Sequence, residues 1–140
     1  MAYDDLIRSE DGSQAVGRDS LVRFVKDDVS VAAKKPLFWI WCYHLNGEKF
    51  IFEQAESKEE MERKFEFLAR QVPLILSEDG LLASSWANTL TFVLEDVRGD
   101  GSKYWIRCKQ VNNHHFVIDS ANSKEEACRK LRELFRQMGA

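Results

Sequence analysis

"LIRSEDG", residues 6–12, returns 68 positions later as "LILSEDG", residues 74–80, and the rest of the chain follows the same pattern. "FVKDDV" at 24–29 returns as "FVLEDV" at 92–97 with that offset. From the next segment onward the offset is 66. Trp39, Ile40 and Cys42 match Trp105, Ile106 and Cys108, and "ESKEEMERK" at 56–64 matches "NSKEEACRK" at 122–130. Residues 6–29 and 37–71 share 26 identities with their partners over 59 positions. Self-similarity at a fixed period marks a repeated structural unit. We read the chain as a tandem duplication, with one sheet-plus-helix repeat over residues 1–72 and a second over 73–140, the two sharing a core.

Each copy then serves as a control on the other. "SLVRFVKDDVSV" and "NTLTFVLEDV" are rich in β-branched and aromatic residues and read as first strands. Second strands are expected at 37–45 and 103–111, ending in Asn46-Gly47 and Asn112-Asn113, residue types that accept the positive φ of a hairpin turn. "KFIFEQA" and "HFVIDSA" follow as third strands. The "LIxSEDG" segment opening each copy is expected as a strand or extended segment ending in a turn, with a brief helix as the alternative. Ser57 and Ser123, each followed three residues on by Glu60 and Glu126, are N-caps of a capping box. Met61, Phe65, Leu68 and Val72, and Ala127, Leu131, Leu134 and Met138, form the buried stripe of the helix that follows. Glu59–Arg63, Glu60–Lys64, Glu125–Arg129 and Glu126–Lys130 are spaced as i,i+4 pairs on the wet side. Pro73 ends the first helix. The expected fold is α+β: an antiparallel β-meander of three or four strands and one helix, built twice, the halves packed with pseudo-twofold symmetry.

The totals bound what such a chain can be. At 140 residues with 44% apolar and 31% charged side chains, it suits one globular domain or two small halves with a common core. Its longest apolar run, Leu37–Tyr43, is seven residues, against the roughly 20 that span a bilayer. No basic-then-apolar leader is visible in "MAYDDLIRSEDG". Three unclustered cysteines speak against a disulfide framework and for a reducing compartment, so the expected location is the cytoplasm. The net charge of −3 is uneven: residues 98–140 carry nine basic and five acidic side chains, while residues 31–97 carry seven and eleven.

"FWIWCYHL", residues 38–45, raises the functional question. A strand with one wet face alternates apolar with polar, and this one does not. Phe38, Ile40 and Cys42 have apolar counterparts in Tyr104, Ile106 and Cys108, and that face is assigned to the helix. On the other face Trp39, Trp41, Tyr43 and Leu45 become Trp105, Arg107, Lys109 and Val111. Three rings left in water would form a large apolar patch of a kind soluble proteins keep for a use. Either the halves pack so that these rings fill a shared core, or the rings form a platform for a partner. Trp39, whose counterpart is also Trp, is expected inside. Trp41, Tyr43, Arg107 and Lys109, which differ between copies, are the candidate partner-binding residues.

No catalytic, cofactor or metal motif is legible. Cys42 and Cys108 read as core residues, and His114-His115 as part of a turn. "GDGSK" lacks the spacing of a phosphate loop, and Asp11/Asp79 and Asp28/Asp96 recur in both copies, as turn residues do. The stretch "YWIRCKQVNNHHFVIDSANSKEEACRKL" resembles the strand–strand–helix portion of the double-stranded RNA-binding domain and of the arm-binding domain of tyrosine recombinases. PUR-repeat and Whirly single-strand binders are similar in building a fold from duplicated sheet-plus-helix units. The resemblance implies nucleic-acid binding through aromatic and basic residues of the second repeat. The sequence departs from the RNA-binding family in having "SKEEA" where that family has a lysine-rich helix start. The expected function is therefore a non-catalytic protein-interaction or regulatory module using a sheet face or inter-repeat groove, with another protein as partner. Nucleic-acid binding is the alternative. No membrane association is expected, and the oligomeric state is not legible.

Overall fold

The computed structural model describes residues 5–139. The first four residues, where part of the leader reading falls, and Ala140 lie outside the described residues. In chain order the elements are β1 (Leu6–Arg8), β2 (Ala15–Gly17), β3 (Leu21–Asp28), a one-turn α1 (Ser30–Ala33), β4 (Phe38–His44), β5 (Lys49–Ala55) and α2 (Lys58–Ala69). They are followed by β6 (Leu74–Leu76), β7 (Leu82–Ser85), β8 (Thr89–Asp96), β9 (Tyr104–Gln110), β10 (His115–Ala121) and α3 (Lys124–Gln137). All strand pairs are antiparallel, and the protein is α+β. The order hairpin, meander, helix occurs twice.

The SEDG segments close the two hairpins by the same chemistry. Asp11 Oδ1 accepts from Ser9 Oγ at 3.0 Å and from the Ser13 N–H at 2.8 Å. Asp79 Oδ1 accepts from Ser77 Oγ at 2.6 Å and from the Leu81 N–H at 2.9 Å. Gly12 and Gly80 follow at φ +77° and +74°, a region where a side chain is strained. The hairpin is then clipped to its own helix. Gln71 Oε1 accepts the Arg8 N–H and its Nε2–H donates to the Arg8 carbonyl, both at 2.8 Å. Gln137 does the same to Leu76, at 2.7 and 2.9 Å. Gln71 and Gln137, at matching positions of the two copies, thus make the same tie between helix end and strand edge.

The Asp11 carboxyl is held down to about 2, from an ordinary 3.8, by the Ser13 hydroxyl and N–H and by Ser9. Such a group adds stability above its unfolded pKa and loses it as pH falls through the folded value. Asp11→Ala should therefore lose less thermal stability than the parent between about pH 4 and pH 2. Equal losses would show that the ionised carboxylate does not hold the turn.

Both helices start as expected. Ser57 Oγ accepts the Glu60 N–H at 3.1 Å, and Ser123 Oγ the Glu126 N–H at 3.2 Å. The i,i+4 pairs expected along the helices are not the ones formed. Arg63 pairs with Glu10 and Arg129 with Glu78, while Lys64 and Lys130 cap the Gln54 and Ser120 carbonyls. These four cations reach neighbouring elements, whereas Arg70 and Arg136 pair with Glu66 and Glu133 on their own helices. The helical stripe is core. Met61, Phe65, Leu68 and Val72 are buried with Phe24, Ile40, Cys42 and Phe52, and Ala127 and Leu134 are buried in the second half. Leu131 and Met138 are half-buried against Phe92, Ile106, Cys108 and Ile118.

Two local readings are corrected. The first strand stops at Asp28, not at residue 31, because the Asp28 carboxylate accepts the Ser30 N–H at 3.0 Å and starts α1. In the 44–48 turn only Gly47 takes positive φ, whereas Asn112 and Asn113 both do. The short β2 and β7, in "SQAVG" and "LLASS", are strands that the sequence pattern does not mark.

The joint between the halves is made by β7. It leaves its own meander and pairs with β3, giving one sheet in the order β5-β4-β3-β7-β6 and a second in the order β10-β9-β8. Ala83 faces the first core and Ile75 the second, so this hairpin is shared by both. Among the described residues β2 pairs only with β1 and β8 only with β9, so the strand pairing between halves runs one way. Gln110, almost fully buried, seals the joint. Its Nε2–H donates to the Val22 carbonyl at 2.7 Å and to Ser84 Oγ at 2.8 Å. Ser84 and Thr89 stand where the first half has Val16 and Leu21, and their hydroxyls meet at 2.5 Å. Gln110→Ala would remove the buried side-chain donor to the Val22 carbonyl and to Ser84 and should cost about 1–3 kcal/mol in a urea unfolding series. A change within error would place the joint's stability elsewhere.

Candidate functional site

Alternation along β4 gives this strand two different faces. Ile40 and Cys42 are buried beneath α2, with Phe38 packed at the rim of that core. Trp39, Trp41 and Tyr43 point the other way and are half-buried, outside every buried cluster. Trp39, expected as shared core, lies beside Trp41 on the same open face. At the Tyr43 end of β4 the second half comes close, through Phe116 on the far side of Arg23, while β7 joins the halves by pairing with β3. The two indole rings cover each other.

Trp39 and Trp41 meet edge to face, with centroids 5.6 Å apart and planes at 85°. Their indole N–H groups are satisfied locally, Trp39 Nε1–H donating to Gln54 Oε1 and Trp41 Nε1–H to Asp27 Oδ2, both at 3.1 Å. Lys49 Nζ stands 4.8 Å from the Trp41 ring centroid and 5.6 Å from that of Tyr43. The Arg23 guanidinium lies between Tyr43 at 4.1 Å and Phe116 at 4.4 Å, stacking the edge of this face onto the second half. Burial pushes the Arg23 pKa down. The result is an aromatic cluster whose two indole N–H groups are held by hydrogen bonds and whose Trp41 and Tyr43 rings are faced by cations.

Sequence reasoning had no reason to single out Arg23 and Lys49. Both are register partners of Tyr43, on β3 and β5 respectively. The 44–48 turn alone would have placed Lys49 opposite Tyr43, since turn length fixes hairpin register.

The second half offers a different surface at the matching positions. The Arg107 guanidinium sits 5.9 Å from the Trp105 ring, pairs with Glu95 Oε1 at 3.2 Å and touches His115 Nδ1 at 3.3 Å. Lys109 is exposed, and together with Arg107, His114 and His115 it lines an open hollow. The structure therefore brings Trp41 together with Tyr43, and Arg107 together with Lys109. No hydrogen bond, ion pair or ring contact among the described residues joins the first pair to the second.

Burial pushes the Cys42 thiol up to about 12 and raises that of Cys108, which disfavours the nucleophilic thiolate. Cys128 stands where the first half has Glu62, and Leu94 where it has Lys26. Glu62 and Lys26 form an ion pair at 2.9 Å, so an ionic contact in one half corresponds to two apolar residues in the other. Among the described residues no group of three or more His, Cys, Asp or Glu side chains is placed to hold a metal ion. No helix among them is long and apolar enough to cross a membrane. Comparison with family models, curated proteins and solved structures finds no match.

Proposed function

We propose that the chain is a non-catalytic protein-interaction module, working in the cytoplasm, whose partner protein seats on the aromatic face of β4. One observation carries the reading: Trp39, Trp41 and Tyr43 lie together on an open sheet face, pre-set by hydrogen bonds and cation contacts. Tryptophan, tyrosine and arginine dominate the energy of protein interfaces because they bury large area at small entropic cost. Rings already held in place lose little further freedom on binding. Three free cysteines fit a reducing compartment.

A second reading has its own observation. Trp105 with Arg107, and the exposed Lys109, could stack and neutralise a single strand. Carboxylates at the rim favour the protein reading: Asp27 stands at Trp41 and Glu95, its counterpart, at Arg107. Each opposes a phosphate backbone. Affinity capture from a lysate of the source cells, with and without nuclease, separates the readings. A protein that survives nuclease and is lost on Trp41→Ala supports the first. Recovery of nucleic acid that is lost on Arg107→Ala with Lys109→Ala overturns it in favour of the second.

A further inference from the structure

We propose that the protein self-associates head to tail, the β1–β2 hairpin of one molecule adding to the free β8 edge of the next. The chain already contains this interface once. The β6–β7 hairpin adds to β3 in the register Arg23↔Ser84, Phe24↔Ala83 and Val25↔Leu82, and the Lys26 N–H donates to the Leu81 carbonyl at 2.8 Å. β8 is the counterpart of β3, and β1–β2 the counterpart of β6–β7. Among the described residues both have their outer edges unpaired. One interface is made and its two complementary halves stand open at opposite ends of the repeat.

Side-chain burial follows the same logic. Val22, at the joint, is fully buried, while its counterpart Leu90 is 63% exposed. Leu74 packs on the first core through the shared hairpin, while its counterpart Leu6 is 37% exposed. Ala83 is buried and Ala15 is exposed. At these three positions an apolar side chain is covered where the interface is formed and its counterpart is exposed where it is not. An open strand edge presents unpaired N–H and C=O groups for another strand to meet. Carrying the register across gives Thr91↔Val16, Phe92↔Ala15 and Val93↔Gln14 between molecules. Such a contact joins two different surfaces and propagates or closes into a ring. It does not use the aromatic face of β4, so it stands or falls apart from the function proposed above.

Sedimentation of the full chain over a concentration series tests this. The wild-type mass should rise with concentration. Leu90→Arg and Ala15→Arg, both at exposed sites, should each stay folded by circular dichroism and sediment as monomers. Mixed in equal amounts, they should form a one-to-one heterodimer, because each retains the end the other lacks. With Cys128→Ser as background, Gln14→Cys should cross-link to Val93→Cys on oxidation. A wild-type monomer at every concentration, failure of the mixture to associate, or Val93→Cys cross-linking to itself in preference to Gln14→Cys would overturn the proposal.

Discussion

Phe24→Ala should lower the free energy of unfolding by about 3–5 kcal/mol, the range for a fully buried phenylalanine. Phe24 is fully buried on β3, the central strand of the five-stranded sheet, between Cys42 on β4 and Ala83 on β7. Its ring lies 5.5 Å from that of Phe52. Both flanking strands fix the backbone, so the surroundings cannot collapse into the void. Its counterpart Phe92 lies on β8, which among the described residues pairs with β9 alone, with Phe135 at 5.6 Å. Phe92→Ala should cost less, because an edge strand can shift to fill space. Urea unfolding of both variants checks the order, and a larger loss from Phe92→Ala would mean the central core has been misplaced.

Trp41→Ala should weaken capture of the partner protein by at least about 30-fold, or roughly 2 kcal/mol, as truncation of an interface hot spot does. Trp41 stands at the middle of the open face, touched by Trp39, Lys49 and Asp27. Titration of the captured partner against both proteins is the measurement. Tyr43→Ala should weaken binding less, since its ring is already occupied by Arg23 and Lys49. Unchanged binding in both variants would remove the face from the interface.

Much of this architecture was legible because the chain states it twice. The meander strands, both N-caps and the helical stripes were visible wherever two copies agreed, and the structure shows them at nearly the same residues. Repetition alone marks Asp11 and Asp79 as turn residues, and both carboxylates close their turns. What repetition could not show was where the copies differ in environment. β2 and β7 are three and four residues long and rich in Ser, Ala and Gly, so neither pattern nor propensity marks them. Yet β7 decides how the halves join, and hence that Trp39 stays half-exposed although its counterpart is also Trp. A residue type retained in both copies predicts a shared core, but Trp39 and Trp105 are each half-buried on the second face of their own sheet. Trp41–Tyr43 and Arg107–Lys109 occupy matching positions, and matching positions in a repeat are not neighbours.

The central claim, that the second face of β4 is a surface and not a core, is tested most directly by the stability of Trp39→Ala and Trp41→Ala. Each ring is half-buried and half of an edge-to-face pair, so each substitution should cost about 1–2 kcal/mol in urea unfolding. Both should fall well short of Phe24→Ala measured alongside. Losses of about 3–5 kcal/mol from both tryptophan variants, equal to that of a fully buried ring, would contradict the account and return "FWIWCYHL" to the interior.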